Sequence, residues 1–214
     1  AAGTSPIAIG VNPAGTLVYV GNFSSNNVSA YKIDAATGGL SAVKGSPFAA
    51  GSAPTSAQID PSGKFLYVSC DASNNVYAFK IGRRGALTAV SGSPFGTGDG
   101  PGGVSLSPSG KFAYVPSYTL GSVWGYTVNS RTGSLAAISG SPWLAGSDVT
   151  AFAVDNTGKF GYGINYGAAN VSAYRISATG ALSPAKGSPF SAGSNPAWMA
   201  ICEVAKGVCK PPPL

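Results

Sequence analysis

The residue types in this 214-residue chain limit the chemistry that it can perform. Histidine is absent, and the acidic residues number seven. Without histidine, Ser-His-Asp and Cys-His nucleophile systems are excluded, together with His-ligated zinc, copper and iron sites. General base catalysis would therefore fall to carboxylates, lysine or tyrosine.

Three of the acidic residues, Asp71, Asp99 and Asp148, lie in polar connections between predicted strands. If they converge beside Asn and Ser, three such carboxylates would hold calcium or orient a sugar, and no cofactor other than calcium is expected. Solvated loop carboxylates without a function are the alternative, which stays open. Asp60 and Asp155 recur at one turn position, so we expect them to cap turns.

Aromatic and amide side chains in the same kind of connection form a second set of candidates. Its members are Asn22, Phe23, Asn74, Tyr118, Trp143 and Tyr166. Aromatic rings beside amides suit carbohydrate or peptide recognition, by stacking and directional hydrogen bonds. Because Asn-rich loops also serve simply to turn a chain, a structural role is the alternative for these residues.

The elements that must position these residues form a tandem repeat. Gly-Ser-Pro with an aromatic residue ends successive copies at Phe48, Phe95, Trp143 and Phe190, so the period is 47 or 48 residues. A tyrosine within a short apolar run recurs in phase, at Tyr19, Tyr67, Tyr114 and Tyr162. Each copy holds four strand patterns between turn signals, and one such sheet must stack on its neighbours to bury its apolar faces.

The sequence therefore predicts an all-β fold, a β-propeller that forms a single domain over 1–214. Four complete four-stranded blades are expected at 1–48, 49–95, 96–143 and 144–190, and a two-stranded half blade at 191–214, in a five-bladed-like ring. In a propeller, the connections after the second and fourth strands share one rim. Both sets of candidates are expected at that rim.

The C-terminal half blade carries Cys202 and Cys209, whose spacing would let them face each other in a hairpin and form a disulfide. Pro211 to Pro213 then stop sheet pairing, because proline lacks a backbone donor. The incomplete blade would offer an edge to a second copy, which predicts a homo-oligomer.

Composition excludes some partners and favours a location. The formal charge is +6, but no dense basic stripe is present, so we expect no nucleic-acid partner. No apolar run approaches the ~18 residues that span a bilayer, so we expect no membrane insertion. Only 9% of residues are charged, while Ser, Thr, Asn and Gly abound, which favours a secreted, periplasmic or cell-surface protein.

Three segments carry a family resemblance: Pro-Ser-Gly-Lys-Phe-Leu-Tyr-Val at 61–68, Asn-Asn-Val-Tyr-Ala-Phe at 74–79, and Gly-Ala-Leu-Thr-Ala-Val-Ser-Gly-Ser-Pro-Phe at 85–95. They resemble the lactonase-like, YVTN-repeat β-propellers, which include the propeller-type 6-phosphogluconolactonases. The resemblance implies a propeller, usually of seven blades, and lactone hydrolysis for some members. None of the acid-base residues expected of the enzymatic members matches a position here.

Poverty in catalytic groups favours a non-catalytic, secreted propeller that binds a glycan, polymer or protein through its loop-rich rim. A reduced lactonase-type hydrolase, in which a carboxylate activates water, is the first alternative. A self-assembling structural subunit is the second.

Overall fold

The computed structural model describes residues 2–197, 199, 203–205 and 208–210. Within these ranges the fold is all-β and propeller-like, as the sequence predicts, and every strand pairing is antiparallel. No helix in the described part of the chain is long and apolar enough to cross a membrane. The chain divides into two compact units, 1–97 with 129–134, and 98–128 with 135–214.

The first unit contains two sheets. Sheet 1 consists of β1 (Pro6–Val11), β2 (Leu17–Asn22), β3 (Asn27–Ile33), β4 (Leu40–Ala42) and β5 (Phe48–Ala49). Sheet 2 consists of β6 (Gln58–Ile59), β7 (Phe65–Cys70), β8 (Asn75–Ile81), β9 (Leu87–Ala89) and β10 (Phe95–Gly96). The core of the first unit contains buried side chains from both sheets, including Tyr19, Leu66, Val68 and Leu87.

The second unit repeats this arrangement. Sheet 3 consists of β11 (Ser105–Leu106), β12 (Phe112–Ser117), β13 (Ser122–Val128), β14 (Leu135–Ala137) and β15 (Trp143–Leu144). Sheet 4 consists of β16 (Val149–Val154), β17 (Phe160–Asn165), β18 (Asn170–Ile176), β19 (Leu182–Pro184) and β20 (Phe190–Ser191). A hairpin of β21 (Glu203–Ala205) and β22 (Val208–Lys210) follows.

The fourth strand of each predicted blade is in fact two short segments, and both pair with the third strand. The Gly-Ser-Pro motif lies between them, with a cis Ser–Pro peptide bond in every copy. Its serine Oγ accepts a hydrogen bond from the third strand, as Ser46 does from the Ala30 N–H at 2.9 Å. Ser93, Ser141 and Ser188 do the same, so the motif closes the gap where the ladder is interrupted.

Three of the four recurring tyrosines join sheets rather than form a site. The hydroxyl of Tyr67 donates to the Gly133 carbonyl at 3.0 Å within the first unit. Tyr19 and Tyr114 make the equivalent bonds to Gly85 and Gly180, each 66 residues further along the chain. Burial raises the pKa of Tyr19 to about 12 and that of Tyr114 further, as expected for neutral phenols locked in a core.

The predicted turn caps are confirmed. Oδ1 of Asp60 accepts from the backbone N–H groups of Lys64 and Phe65, both at 2.7 Å. Asp155 makes the same pair of bonds in sheet 4. These two carboxylates hold the hairpin between the first and second strands.

The hairpin of β21 and β22 is the two-stranded sheet expected at the C-terminal end. Its register pairs Val204 with Cys209. Cys202 and the side chain of Cys209 lie outside the described residues, and so does their predicted disulfide.

Candidate functional site

A buried amide at the end of the second strand organises the loops of the first and fourth repeats. Asn22 is fully buried, and its Nδ2 donates to Asn27 Oδ1 at 2.7 Å and to Ser29 Oγ at 2.9 Å. Its Oδ1 accepts from the Gly3 N–H at 3.1 Å. Asn165 repeats the arrangement in sheet 4. The side-chain amide of Asn22 is therefore engaged in hydrogen bonds within the first repeat.

One structural position supplies four of the candidates. Phe23, Asp71, Tyr118 and Tyr166 each follow directly on the second strand of a sheet. Their backbone N–H groups donate, at 2.8 to 2.9 Å, to carbonyls of the loop that precedes the first strand. This bond fixes the backbone and leaves the side chains outside, so Tyr118 is 47% exposed.

Asp148 lies in that preceding loop of sheet 4, and its backbone conformation is unusual. Its φ is 56°, in the left-handed region that few residues other than glycine adopt. Ser5, Ala53 and Gly100 take the same conformation in the other repeats. The Asp148 carbonyl accepts the Tyr166 N–H at 2.9 Å, and its carboxylate lies over Gly167, where no Cβ fills the space.

A cavity of about 600 Å³ opens beside this carboxylate in the second unit. We call it the Asp148 cavity; its lining residues are Tyr118, Thr119, Leu120, Gly121, Ala145, Gly146, Ser147, Asp148 and Ala168. Two predicted candidates, Tyr118 and Asp148, thus line one cavity. Tyr166 is held next to them by its bond to the Asp148 carbonyl.

The remaining candidates of the second unit do not line this cavity. Asp99 is exposed, and its carbonyl accepts from Ser117 Oγ at 2.6 Å. Trp143 packs on Gly125, where an added Cβ would lie 2.5 Å from the indole ring, and on the apolar core. The position of Trp143 is that of a packing residue in the outer strand.

Asn22, Phe23, Asp71 and Asn74 belong to the first unit. Asn74 has a φ of 52°, and its carbonyl accepts the Thr97 N–H at 3.1 Å, which is the turn-forming role. Among the described residues, no three His, Cys, Asp or Glu side chains are grouped so that they could hold a metal ion. Asp71 belongs to the first unit, and Asp99 and Asp148 belong to the second, so the calcium site stays a prediction.

Among the described residues of the second unit, three buried polar atoms lack a hydrogen-bond partner: Ser122 Oγ, Trp124 Nε1 and Thr150 Oγ1. Ser122 directly follows the cavity residue Gly121, and Thr150 follows Asp148 by two residues. Comparison of the repeats would have singled out this region. Ser122-Val-Trp124 stands where the first and fourth repeats have Asn-Val-Ser, so the third repeat lacks the buried amide network.

The family model described as lactonase, 7-bladed beta-propeller, matches residues 1–97 and 83–198. The chain belongs to this lactonase family. Curated protein sequences include no match to it.

Several solved structures share the fold. A candidate 6-phosphogluconolactonase of Bacteroides uniformis is 20% identical with a TM-score of 0.80, and the match covers 89% of this chain and 56% of that one. The periplasmic gluconolactonase of Pseudomonas aeruginosa is 17% identical with a TM-score of 0.79, covering 90% and 55%. A Desulfotomaculum acetoxidans protein of unknown function is 16% identical with a TM-score of 0.73, covering 86% and 56%. The lactonase-family chain thus spans little more than half the length of these proteins.

These findings overturn one expectation. The sequence favours a non-catalytic binding propeller, and this interpretation is wrong, because the family match and the gluconolactonase-like structures support the lactonase alternative. That expectation rested on the small number of catalytic groups, although a single carboxylate is sufficient as a base.

Proposed function

We propose that this protein is a lactone hydrolase. The observation that carries the proposal is the match of the lactonase family to residues 1–97 and 83–198. The structural likeness to the gluconolactonase of Pseudomonas aeruginosa supports a sugar lactone as the substrate.

We assign the reaction to the Asp148 cavity. Its volume of about 600 Å³ lies within the range of roughly 300–1,000 Å³ that is usual for small-molecule sites. Its lining residues include Tyr118, Thr119 and Ser147, which carry hydroxyl groups. Such a lining suits a ligand with several hydroxyl groups, because each can exchange a hydrogen bond to water for one to the protein.

The chemistry needs one base and one proton donor. A water molecule attacks the lactone carbonyl carbon, and the Asp148 carboxylate takes its proton. The tetrahedral intermediate then expels the ring oxygen, which receives that proton, so that the product is an open hydroxy acid. The Tyr118 hydroxyl is suited to donate a hydrogen bond to the oxyanion, the kind of contact that stabilises such intermediates. No redox step or further reactant is required.

The test is hydrolysis of a panel of lactones by the purified chain, followed as acid release in a pH-stat. We expect turnover of a gluconolactone or its 6-phosphate above the spontaneous rate, and slower turnover of acyl-homoserine lactones, which have fewer hydroxyl groups. Spontaneous rates with every lactone would refute the proposal.

We also propose that the protein works outside the cytoplasm. The Pseudomonas aeruginosa relative is described as periplasmic, and the low charged content of 9% supports the same location here. Fractionation of the native host, with antibody detection of the chain, would test this location.

A further inference from the structure

A second cavity of the second unit lies between sheets 3 and 4. Its volume is about 230 Å³, and it is lined by the segment 144–146, which begins in β15, and by Asn170, Ser172 and Tyr174 of β18. Alternate residues of a strand share one face of the sheet. Tyr174 packs in one cluster with Tyr114 of sheet 3, so this face of β18 is turned towards sheet 3. We call this cavity the β18 cavity.

In the second and third repeats, an aromatic residue takes the position of Ser172. Tyr77 is the third residue of β8 and Trp124 is the third residue of β13, as Ser172 is of β18. Both rings pack closely on a glycine: an added Cβ would lie 2.7 Å from the Tyr77 ring at Gly51, and 2.5 Å from Trp124 Nε1 at Gly98. The fourth repeat therefore has a serine where these two repeats have a ring.

The glycine of the fourth repeat that corresponds to Gly51 and Gly98 is Gly146, which lines the β18 cavity. Each of the three follows the aromatic residue of its Gly-Ser-Pro motif by three positions. An added Cβ at Gly146 would lie 2.6 Å from Cγ of Asn165. The Asn165 amide thus takes the end of the ring position that lies against the glycine, and the β18 cavity is the remainder of that position.

The last residue of the second strand varies together with the ring position. The two repeats that have a ring end this strand with a small residue, Cys70 or Ser117. The fourth repeat ends it with Asn165, and the first repeat likewise combines Asn22 with Ser29. An amide and a large ring compete for the space beside one glycine, so the fourth repeat has exchanged the ring for an amide and a cavity.

The Tyr174 ring is placed to stack on a ring in the β18 cavity. In the second repeat, Tyr77 and Phe79 are stacked with their ring centres 6.1 Å apart. Tyr174 is the counterpart of Phe79, since each is the fifth residue of its strand. Its hydroxyl donates to the Leu144 carbonyl at 2.6 Å, which holds the ring in place. Stacking of two aromatic rings is favourable beyond the apolar area that it buries.

The rest of the lining is apolar with a few polar groups. Pro184 and Pro189 supply apolar surface. Asn170 Oδ1 accepts from Asn165 Nδ2 at 2.6 Å, which leaves Nδ2 of Asn170 to donate to a ligand. Such linings are usual for small-molecule sites. An apolar cavity of about 150 Å³ is large enough for benzene, so the volume of about 230 Å³ suffices for one ring with a substituent.

We propose that the β18 cavity binds a single aromatic ring that carries an oxygen, as in a phenol. The ring stacks on Tyr174, and its oxygen accepts a hydrogen bond from Asn170 Nδ2. The β18 cavity shares Ala145 and Gly146 with the Asp148 cavity. The ring therefore belongs either to a free phenol or to a lactone with an aryl group that reaches both cavities. Binding of the ring does not depend on the proposed hydrolysis.

Calorimetric titration of the purified chain with phenol tests the site. Cyclohexanol is the matched control, because it has the same hydroxyl group and a ring of similar size that cannot stack. We expect phenol to bind about three- to tenfold more tightly than cyclohexanol. Nuclear Overhauser effects between phenol and the Leu144 methyl groups should locate the ring. Equal affinities, no binding, or contacts only elsewhere on the chain would each overturn the proposal.

A double variant that fills the cavity tests the comparison of repeats. Asn165→Ser with Ser172→Trp gives the fourth repeat the residues of the third, and the indole should lower the affinity for phenol more than about tenfold. Ser183→Trp adds the same side chain on the exposed side of β19 and should bind phenol like the original chain. Unchanged affinity in a folded double variant contradicts the proposal. If the double variant does not fold, the Overhauser contacts in the original chain decide.

A lactam distinguishes the two sources of the ring. Dihydroquinolinone carries a fused aromatic ring and resembles an aryl lactone, but it resists hydrolysis. Affinity about tenfold or more above that of phenol would assign the cavity to an aryl lactone, because both cavities are then filled. Affinity equal to that of phenol would assign it to a free phenol. Both results are measured without turnover, so failure of lactone hydrolysis would leave the ring site standing.

Discussion

Asp148 combines a partly buried side chain with a backbone that the fold forces into the left-handed region. Four repeats need this conformation in the loop before the first strand, and they meet it with serine, alanine, glycine and aspartate. Only the fourth places a carboxylate there. The repeat therefore accounts for the backbone of Asp148, whereas it does not account for its side chain.

The proposed base predicts a specific loss. Asp148→Asn should lower kcat for lactone hydrolysis about 10²- to 10⁴-fold, because the amide cannot accept the proton of water. Asparagine tolerates a left-handed φ as well as aspartate does, so the melting temperature should stay the same. Pre-steady-state and steady-state hydrolysis rates, with calorimetry on the same samples, measure both effects.

Asp99→Asn is the matched control for this substitution. It removes the same charge from an exposed loop of the same unit, outside the Asp148 cavity. An equal loss in both variants would show that charge rather than a base at Asp148 matters.

At the scale of elements, the recurring motifs connect strands within a sheet and one repeat with the next. The Gly-Ser-Pro serine closes a gap in its own sheet, and the tyrosine hydroxyl reaches a glycine of the next repeat. These glycines have positive φ and support an aromatic or aliphatic side chain of the preceding sheet, as Gly133 supports Phe65. The motifs that identify the family thus build the blades and leave the loops free for chemistry.

Close packing at these glycines predicts that one added methyl group lowers the unfolding free energy strongly. Gly133→Ala should cost about 2–4 kcal/mol of unfolding free energy, from the left-handed backbone of a non-glycine residue and the collision with Phe65. Gly15→Ala is the control, since its φ of 64° is similar but no atom lies within 4 Å of the new Cβ. It should cost only about 1 kcal/mol, for the left-handed backbone of a non-glycine residue. Urea unfolding of both variants separates the effect of the collision from that of backbone strain. Equal losses of unfolding free energy would contradict close packing between Gly133 and Phe65.

At the scale of the whole molecule, few side chains titrate near neutral pH. Histidine is absent, and burial raises the pKa of the Cys70 thiol to about 11. Partial burial by itself would raise the pKa of Asp155, but hydrogen bonds from Thr157 and Phe160 hold it below its usual value. The groups that link folding to pH therefore titrate in acid or in alkali.

We predict a stability plateau from about pH 5 to pH 8, since without histidine no ordinary side-chain pKa falls in that range. A buried tyrosine has a folded pKa above its unfolded value of about 10, so the unfolded chain ionises first and stability falls from there to about pH 12. Asp155 has a lowered folded pKa, so its contribution is lost as pH falls below about 4. Thermal unfolding across pH 3 to pH 12 measures the profile, and a step near pH 6.5 would contradict it.

Local patterns in the sequence were sufficient for the fold class and the turn caps. Strand alternation, Asx turns and Gly-Ser-Pro breaks depend on residues a few positions apart, and their energies are local. The split of the fourth strand was missed, because the serine side-chain bond that bridges the gap spans 15 or 16 residues.

The candidate site was only partly predictable. The sequence by itself identified the connections where Tyr118, Asp148 and Tyr166 lie, and its family resemblance pointed to lactone chemistry. Only the tertiary structure decided that Tyr118 and Asp148 share a cavity, that Asn22 is a buried loop anchor and that Trp143 is packed in a sheet. The physical reason is that these distinctions depend on contacts between segments about 20 to 30 residues apart, whereas spacing along the chain reports only its local conformation.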